Sequence, residues 1–186
     1  MPQSLSSILI HLIFSTKYRE PNITAEIERE LHPYMASIFR SLKSPALAID
    51  GMPDHVHALF ALSRVNSIAD LVEEVKTDSS KWIKTKGSEF RNFHWQNGYG
   101  AFSVGQSELE NVKRYIHSQK EHHRRLTFQD EYRKFLNDHG IKYDERYVWM
   151  YYAPSALRRY LLHAPGPMAQ AITVRAFGAG NQTSRS

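Results

Sequence analysis

Hydrophobic and polar residues follow one another along the chain in blocks whose spacing predicts strands and helices in turn. The apolar run over residues 8–15 is typical of a buried strand. Residues 24–42 place apolar side chains at helical spacing behind Thr24, which is a favourable N-cap. Strands are predicted over 46–51 and 55–62, and the Met-Pro-Asp turn between them favours a hairpin.

The pattern continues with a helix over residues 67–87 and, after an irregular aromatic segment, a strand over 99–104. The next helix has the strongest start signal, because Ser107 and Glu110 fit a capping box. A last helix is predicted over 129–138. Without this last helix, the order is strand, helix, strand, strand, helix, strand, helix.

This order predicts an α+β domain with the split βαβ arrangement of ferredoxin-like and RRM-like folds, in which an antiparallel sheet carries helices packed on one face. Beyond residue 149 the chain contains prolines, glycines and four arginines but no acidic residue. We therefore predict one domain over residues 1–148 and a basic, partly disordered extension over 149–186, where residues 157–162 favour a short helix.

The composition limits the classes of protein to consider. Hydrophobic residues make up 41% of the chain, which is enough for a core, and the lack of cysteine excludes disulfides and thiolate metal sites. The first residues lack the basic segment of a signal peptide, and the apolar run over 8–14 is too short to span a bilayer. We expect a soluble cytoplasmic protein without a membrane association.

The charge of the chain suggests a polyanionic partner, because the formal net charge is +5 and the pI is near 9.4. The alternative interpretation is an ordinary solvated helix face. Basic residues concentrate in and after the helix that follows the last predicted strand, at Lys113, Arg114, Lys120, Arg124 and Arg125.

The most informative motif is His55-Val56-His57, inside the predicted strand over 55–62. Alternate residues of a strand point to the same side, so the two imidazoles can bind one metal ion together. The alternative is a core histidine beside a surface histidine. His11 in the first strand also has two interpretations, either a position near the metal or a buried strand residue.

A second motif, Tyr115 and Gln119, lies in the helix after the last predicted strand. Residues four apart share one side of a helix, and these two lie at the edge of its apolar stripe. Such an edge can hold a nucleophile beside a third metal ligand, and His122 on the same edge can bind phosphate or transfer protons. The alternative is a packing tyrosine followed by an exposed glutamine.

No other catalytic motif competes with these two. The chain contains no P-loop, no Gly-x-Ser-x-Gly and no HExxH sequence. The acidic pairs at 73–74 and 130–131 are interpreted as solvated helix faces, so the carboxylate cluster of a two-metal nuclease is not expected. Two imidazoles, an amide oxygen and a phenol are sufficient to cut a phosphodiester and keep the product covalently bound.

Five short motifs in a fixed order give the chain a resemblance to a known family. It resembles the single-tyrosine HUH transposases of small bacterial insertion sequences, a family that includes the REP-associated tyrosine transposases. Each motif is weak alone, whereas the ordered set is specific, and residues from about 149 onward have no counterpart. The motifs lie at residues 11–19, 52–59, 79–83, 95–103 and 115–123.

The resemblance implies that residues 1–148 form a transposase domain that cleaves and rejoins single-stranded DNA in transposition and recombination. His55, His57 and Gln119 would bind Mg²⁺ or Mn²⁺, and Tyr115 would be the nucleophile that forms a 5′-phosphotyrosine. The substrate would be the hairpin-containing ends of the element. The working unit would be a homodimer whose active sites are shared between subunits. The alternative is a non-catalytic or domesticated protein that binds single-stranded nucleic acid on the same fold.

Basic and aromatic residues elsewhere are compatible with DNA binding, because cations can follow the backbone and aromatic rings can stack on bases. For the tryptophans the alternative is core packing, which is favoured for Trp82. The predicted DNA contacts are Lys17, Arg19, Lys81, Lys84, Trp95, Tyr99, Arg114, Lys120 and His122.

Overall fold

The computed structural model describes residues 5–148. The predicted extension over 149–186, with its short basic helix, lies outside the described residues. One compact unit of the chain ends at Tyr143, and a second unit begins at Asp144. The predicted division between residues 148 and 149 stays a prediction.

The described chain forms four strands and six α-helices in the predicted order. The strands are β1 (Leu9–Ser15), β2 (Ala46–Met52), β3 (His55–Ala61) and β4 (Gly100–Val104). The helices are α1 (Ala25–Ser41), α2 (Ile68–Lys84), α3 (Leu109–His117), α4 (Gln119–His122), α5 (Phe128–Asp138) and α6 (Glu145–Val148). None of the helices described is both long and apolar enough to cross a membrane.

The strands form one antiparallel sheet in the order β2-β3-β1-β4. The central strands β1 and β3 pair from Leu9↔Ala61 to Ser15↔His55. The hairpin of β2 and β3 is present as predicted. Because α1 connects β1 to β2 and α2 connects β3 to β4, the sheet has the split βαβ arrangement, and the predicted α+β class is confirmed.

Helices cover both faces of this sheet. Alternate residues of the central strands, such as Phe14 and Phe60, pack with α1 and α2 in the main core. The residues between them face the other way, where Leu59 packs with Ile116 of α3. This corrects the expectation of helices on one face. The central strands carry buried residues toward both sides, so both sides need cover.

Side-chain caps fix the starts of three helices. In each, a hydroxyl oxygen accepts a hydrogen bond from the backbone N–H three residues later. The capping residues are Thr24, Ser67 and Thr127. The capping box predicted at Ser107 is wrong, because Ser107 lies inside a short 3-10 turn and the N-cap position falls on Glu108 without a side-chain bond. The side chain of Glu110 pairs with Lys113 instead.

Gly51 lies where the backbones of β2 and β3 approach closely. A Cβ atom at residue 51 would lie 2.2 Å from the backbone oxygen of His55 and 3.0 Å from the Cα atom of Val56. Backbone atoms cannot rotate away, so even an alanine would push the two strands apart. At Gly98, by contrast, no heavy atom lies within 4 Å of such a Cβ atom.

We expect Gly51→Ala to lower the free energy of unfolding by about 1–3 kcal/mol, because it overpacks the hairpin that carries the two strand histidines. Gly98→Ala is the matched control and should stay within about 0.5 kcal/mol of the parent protein. Urea unfolding followed by circular dichroism measures both values. Equal stability of the two variants would contradict the close approach at Gly51.

Candidate functional site

The two histidines of β3 are buried on the sheet face that α3 covers. His55 and His57 are 1% and 0% exposed. The Nδ1 atom of His55 donates a hydrogen bond to Oδ1 of Asp54 over 2.7 Å. The Nδ1 atom of His57 lies 3.0 Å from Nε2 of His11, so His11 is both a buried strand residue and a neighbour of the pair. Both strand histidines use Nδ1 for these contacts and keep Nε2 for another partner.

Two residues outside the predicted site, His123 and Glu131, complete this cluster. The Nε2 atom of His123 lies 3.0 Å from Nε2 of His55, and its Nδ1 donates a hydrogen bond to the backbone oxygen of Leu126. The Oε2 atom of Glu131 lies 3.2 Å from Nε2 of His123 and 3.6 Å from Nε2 of His57. One ligand atom from each of these three histidines and Glu131 lies within 4.8 Å of the others.

The interpretation of residues 130–131 as a solvated helix face is wrong for Glu131, which is 2% exposed. Glu131 lies on the buried side of α5 with Phe128 and Leu136. Phe128 stands three residues before it and Phe135 four residues after it, so helical periodicity places Glu131 on the apolar face. That spacing was the available signal. His123 follows α4 in a turn, where periodicity gives no comparable signal.

Tyr115 and Gln119 reach the cluster from the end of α3. The helix predicted to carry both residues is divided, since α3 ends at His117 and α4 begins at Gln119. The Tyr115 hydroxyl donates a hydrogen bond to Oε1 of Glu131, and Nε2 of Gln119 donates to the same oxygen over 3.3 Å. Gln119 is fully buried, so the alternative of an exposed glutamine is wrong. The structure brings Tyr115, Gln119 and both strand histidines together within one chain.

Several buried polar atoms of the cluster have no hydrogen-bond partner. They include Nε2 of His57, Oε1 of Gln119 and Oε2 of Glu131. A buried polar atom without a partner costs about 1–3 kcal/mol, so such atoms call for an explanation. Imidazole nitrogens and carbonyl or carboxylate oxygens are ligands of divalent metal ions. The residues present therefore fit a divalent ion.

Burial controls the charge of this cluster. Burial and the neighbouring histidines lower the pKa of His57 well below its usual value and the pKa of His123 to about 4. Burial also raises the pKa of Glu131 to about 8. Without a bound cation, His57 and His123 are thus neutral at pH 7 and Glu131 holds a proton. A cation at the same place would favour the carboxylate form.

A cleft of about 420 Å³ opens beside His55 and is lined by Arg19, Arg124 and Arg125. The guanidinium group of Arg19 donates hydrogen bonds to Oδ2 of Asp54. Burial alone would raise the pKa of Asp54, but the hydrogen bonds and charges of His55 and Arg19 outweigh it and lower that pKa to about 2. Arg19 and Arg124 are ion-paired with Asp54 and Glu121, and together with Arg125 they place three guanidinium groups beside the buried histidines, where they can contact a phosphate.

The other predicted DNA contacts are spread over the molecule. His122 lies against Tyr115, with ring centroids 5.2 Å apart. Lys81 and Lys84 lie on α2, which packs on the opposite face of the sheet from α3. Trp95 belongs to the main core at 6% exposure, so it offers little ring surface for a base.

Trp82 is half-buried, stacks on Tyr34 and packs against the main core, as favoured, whereas the prediction that Trp95 stacks on bases is wrong because Trp95 is itself a core residue. The remaining predicted contacts reach solvent. They are Lys17, Tyr99, Arg114 and Lys120, the last of which forms an ion pair with Glu28.

Known proteins resemble the N-terminal part of this chain. Residues 4–119 match the family model described as "Transposase IS200 like". The ISDra2 transposase TnpA of Deinococcus radiodurans is 25% identical over 114 residues, which span 59% of this chain and 81% of that protein.

Two solved structures share the fold. A candidate transposase from Deinococcus radiodurans aligns with a TM-score of 0.51 and 24% identity, over 64% of this chain and 98% of that chain. A REP-associated tyrosine transposase bound to a REP hairpin aligns with a TM-score of 0.51 and 14% identity, over 66% of this chain and 72% of that chain. At these identities the two likenesses show the fold alone.

The buried carboxyl group of Glu131 predicts a pH dependence of stability. Its pKa of about 8 in the folded protein exceeds the ordinary value of 4.5, so the folded state binds this proton more tightly than the unfolded state. The contribution of Glu131 to the free energy of unfolding therefore falls as the pH rises from 4.5 to about 8.

In EDTA-treated protein, we expect Glu131→Gln to gain stability relative to the parent as the pH rises from about 5 to about 8, by about 1 kcal/mol or more. Glu121→Gln removes an exposed acid of α4 and is the matched control, whose difference from the parent should not change over this range. Urea unfolding at a series of pH values measures the differences. A constant difference between Glu131→Gln and the parent would contradict the raised pKa.

Proposed function

The chain belongs to the IS200-like transposase family, and on that premise we propose that it cleaves and rejoins single-stranded DNA through a covalent bond to Tyr115. DNA cleavage and strand transfer in transposition follow from the family. The nucleophile, the metal and the single-stranded substrate are the proposal. One observation carries it: the Tyr115 hydroxyl is bonded into a buried cluster whose nitrogen and oxygen lone pairs lack partners.

Within this proposal, His55, His57 and Gln119 bind Mg²⁺ or Mn²⁺. The unpartnered Nε2 of His57 and Oε1 of Gln119 support the assignment. Asp54 supports it for His55, because a ring that donates Nδ1–H to a carboxylate keeps the lone pair of Nε2 for a metal. When bound, the ion polarises the scissile phosphate and offsets the negative charge of the transition state.

Tyr115 supplies the attacking oxygen. Its hydroxyl is held by Oε1 of Glu131, and its ring lies at the edges of the rings of His11 and His122. Attack forms a bond from the phenolic oxygen to phosphorus and breaks the bond from phosphorus to the 3′ oxygen. The phenol loses its proton and the released 3′ oxygen gains one, which gives a 5′-phosphotyrosine and a 3′-hydroxyl. Attack of another 3′-hydroxyl reverses the step and joins strands without ATP.

The proposed substrate is single-stranded DNA with a hairpin, as suggested by the REP-associated transposase that is bound to a REP hairpin. Arg19, Arg124 and Arg125 line the cleft beside His55, where they can hold phosphates next to the metal ligands. The hairpin would contact the exposed cations and the ring of Tyr99 farther from the cluster.

A homodimer remains part of the proposal, because one tyrosine per chain means that two strand transfers need two chains. The predicted sharing of active sites between subunits stays a prediction, and contacts within the single chain support the other arrangement. Ile116 of α3 is buried against Leu59 of its own β3, and this contact holds Tyr115 beside His57 of the same chain. We therefore propose that each subunit uses its own tyrosine.

The first test is a covalent-adduct assay with labelled hairpin-containing single-stranded oligonucleotides from the DNA that flanks the gene. With Mn²⁺ or Mg²⁺ the parent protein should form an adduct that survives a denaturing gel. Tyr115→Phe should lose the adduct completely, because it keeps the ring packing but has no attacking oxygen. Tyr34→Phe on α1 is the matched control and should keep it. Retardation of the parent on a native gel without any adduct would favour the non-catalytic binding protein.

A mixing experiment tests the proposal that each subunit uses its own tyrosine. His57→Ala and Tyr115→Phe should each be inactive, and a co-expressed or re-folded mixture should remain inactive, because neither chain holds a complete site. The same adduct gel reads the result. Restored adduct in the mixture would mean that the histidines of one subunit work with the tyrosine of the other.

A further inference from the structure

We propose that His123 and Glu131 bind the same metal ion as His55 and His57, and that this nitrogen-rich set selects Mn²⁺ or a similar transition-metal ion over Mg²⁺. The inference rests on the proposed function and deepens it, since it adds two ligands to the predicted set and gives that set a metal preference. Three kinds of observation support it: the hydrogen bonds of the cluster, the distances between its atoms and the chemistry of the donor groups.

The hydrogen bonds of the three histidines leave every Nε2 atom facing the cluster. Nδ1 of His55 donates to a carboxylate oxygen of Asp54, and Nδ1 of His123 donates to the backbone oxygen of Leu126. Neither acceptor can donate a hydrogen bond, so both Nδ1 atoms must carry the proton. Nδ1 of His57 contacts Nε2 of His11, and its own Nε2 has no hydrogen-bond partner. A ring that carries its proton on Nδ1 can present the lone pair of Nε2 to a metal, as the rings of His55 and His123 can, and Nε2 is also the nitrogen of His57 that is left for another partner.

These lone pairs face one another rather than donors. The two Nε2 atoms of His55 and His123 lie 3.0 Å apart, a contact that repels unless a positive charge is shared between them. A single proton can join two of the atoms. That proton leaves Nε2 of His57 and Oε2 of Glu131 without hydrogen-bond partners in the same place, and a proton on Glu131 would join its oxygen to one of the nitrogens at a time. A metal ion can serve all four.

Of three separations between the four ligand atoms, two fall within the range for ligands of one ion and the third is slightly longer. Donor atoms bound at roughly 2.1 Å to a common metal lie roughly 3.0–3.4 Å from one another in octahedral or tetrahedral geometry. The observed separations are 3.0 Å from His55 to His123, 3.2 Å from His123 to Glu131 and 3.6 Å from His57 to Glu131. Hydrogen bonds from Asp54 and Leu126 hold two of the rings in these orientations, as is usual for histidine ligands.

The donor types decide the metal preference. Three imidazole nitrogens and one carboxylate oxygen suit transition metals, whereas Mg²⁺ prefers oxygen ligands and keeps several waters. The carboxylate also lowers the net charge of a divalent ion held by three neutral rings. Its second oxygen remains bonded to Tyr115 and Gln119, so one side chain would join the metal to the nucleophile.

The test measures metal binding to the full-length, DNA-free protein by isothermal titration calorimetry after EDTA treatment. We expect the parent to bind Mn²⁺ at least about tenfold more tightly than Mg²⁺. Glu131→Gln and His123→Gln should each weaken Mn²⁺ binding by at least about tenfold, because even the loss of an outer-shell partner of a ligand has effects of that size. Glu121→Gln and His117→Gln change exposed residues of the same types and should bind as the parent does.

The visible absorption spectrum of bound Co²⁺ separates a ligand from a residue that only supports the fold. Loss of a ligand changes the coordination geometry, so the Co²⁺ bands of Glu131→Gln and His123→Gln should shift while those of the two control variants stay as in the parent. If Glu131→Gln fails to fold by circular dichroism, His123→Gln decides the question. Parent-like affinity and an unchanged Co²⁺ spectrum in the folded variants would overturn the inference, as would equal affinity for Mg²⁺ and Mn²⁺.

The outcome is independent of the proposed function, because no DNA is present. Metal binding that depends on His123 and Glu131, without a Tyr115 adduct, would leave this metal site standing and remove the strand-transfer mechanism. A Tyr115 adduct together with parent-like metal binding in both variants would leave the strand-transfer mechanism standing and remove His123 and Glu131 from the metal site. In that case His55, His57 and Gln119 would form the metal site without the two added residues.

Discussion

The buried carboxyl group of Glu131 joins parts of the molecule that are distant in sequence. One of its oxygens accepts hydrogen bonds from Tyr115 and Gln119, and the other lies beside His57 and His123. A carboxyl group at this depth is costly unless it is protonated or paired with a cation. The position of the Tyr115 hydroxyl therefore depends on the charge state of one side chain, and a metal ion bound by the histidines would act on this proposed nucleophile as well.

The sheet can hold this polar cluster because its two faces carry different kinds of residue. The face toward α1 and α2 is an apolar core around residues such as Phe14 and Phe60, and it provides most of the buried hydrophobic surface. The opposite face carries His11 and His57 on the two central strands, which pair directly through Ile13↔His57. Polar groups on well-packed central strands are held more precisely than groups on loops, which suits a site whose ligands must keep fixed distances.

Local periodicity was enough to predict which site residues lie side by side when they are close together in the sequence. The alternation of a strand put His55 and His57 on one side, and the spacing of four residues put Tyr115 and Gln119 close together although Ser118 separates α3 from α4. It could not predict that His123 would meet His55, because that contact depends on the path of the chain after α4. The periodicity of α5 could have placed Glu131 on the buried face, but the acidic neighbour Asp130 suggested that both residues face solvent. The second helical layer was missed because the apolar stripe of α3 predicts that the helix packs on the sheet but does not say on which face.

Asp54 connects the cleft to the buried cluster. It accepts hydrogen bonds from Arg19, which lines the cleft, and from Nδ1 of His55, whose Nε2 faces the other ligands. Because its pKa is lowered to about 2, this carboxylate is ionised at neutral pH and holds the proton of the His55 ring on Nδ1. If a phosphate drew Arg19 away from Asp54, the Asp54 carboxylate would lose the hydrogen bonds of Arg19 and keep that of His55. If the proposed function holds, DNA in the cleft would therefore change the strength of the Asp54–His55 hydrogen bond and, with it, the basicity of Nε2 of His55.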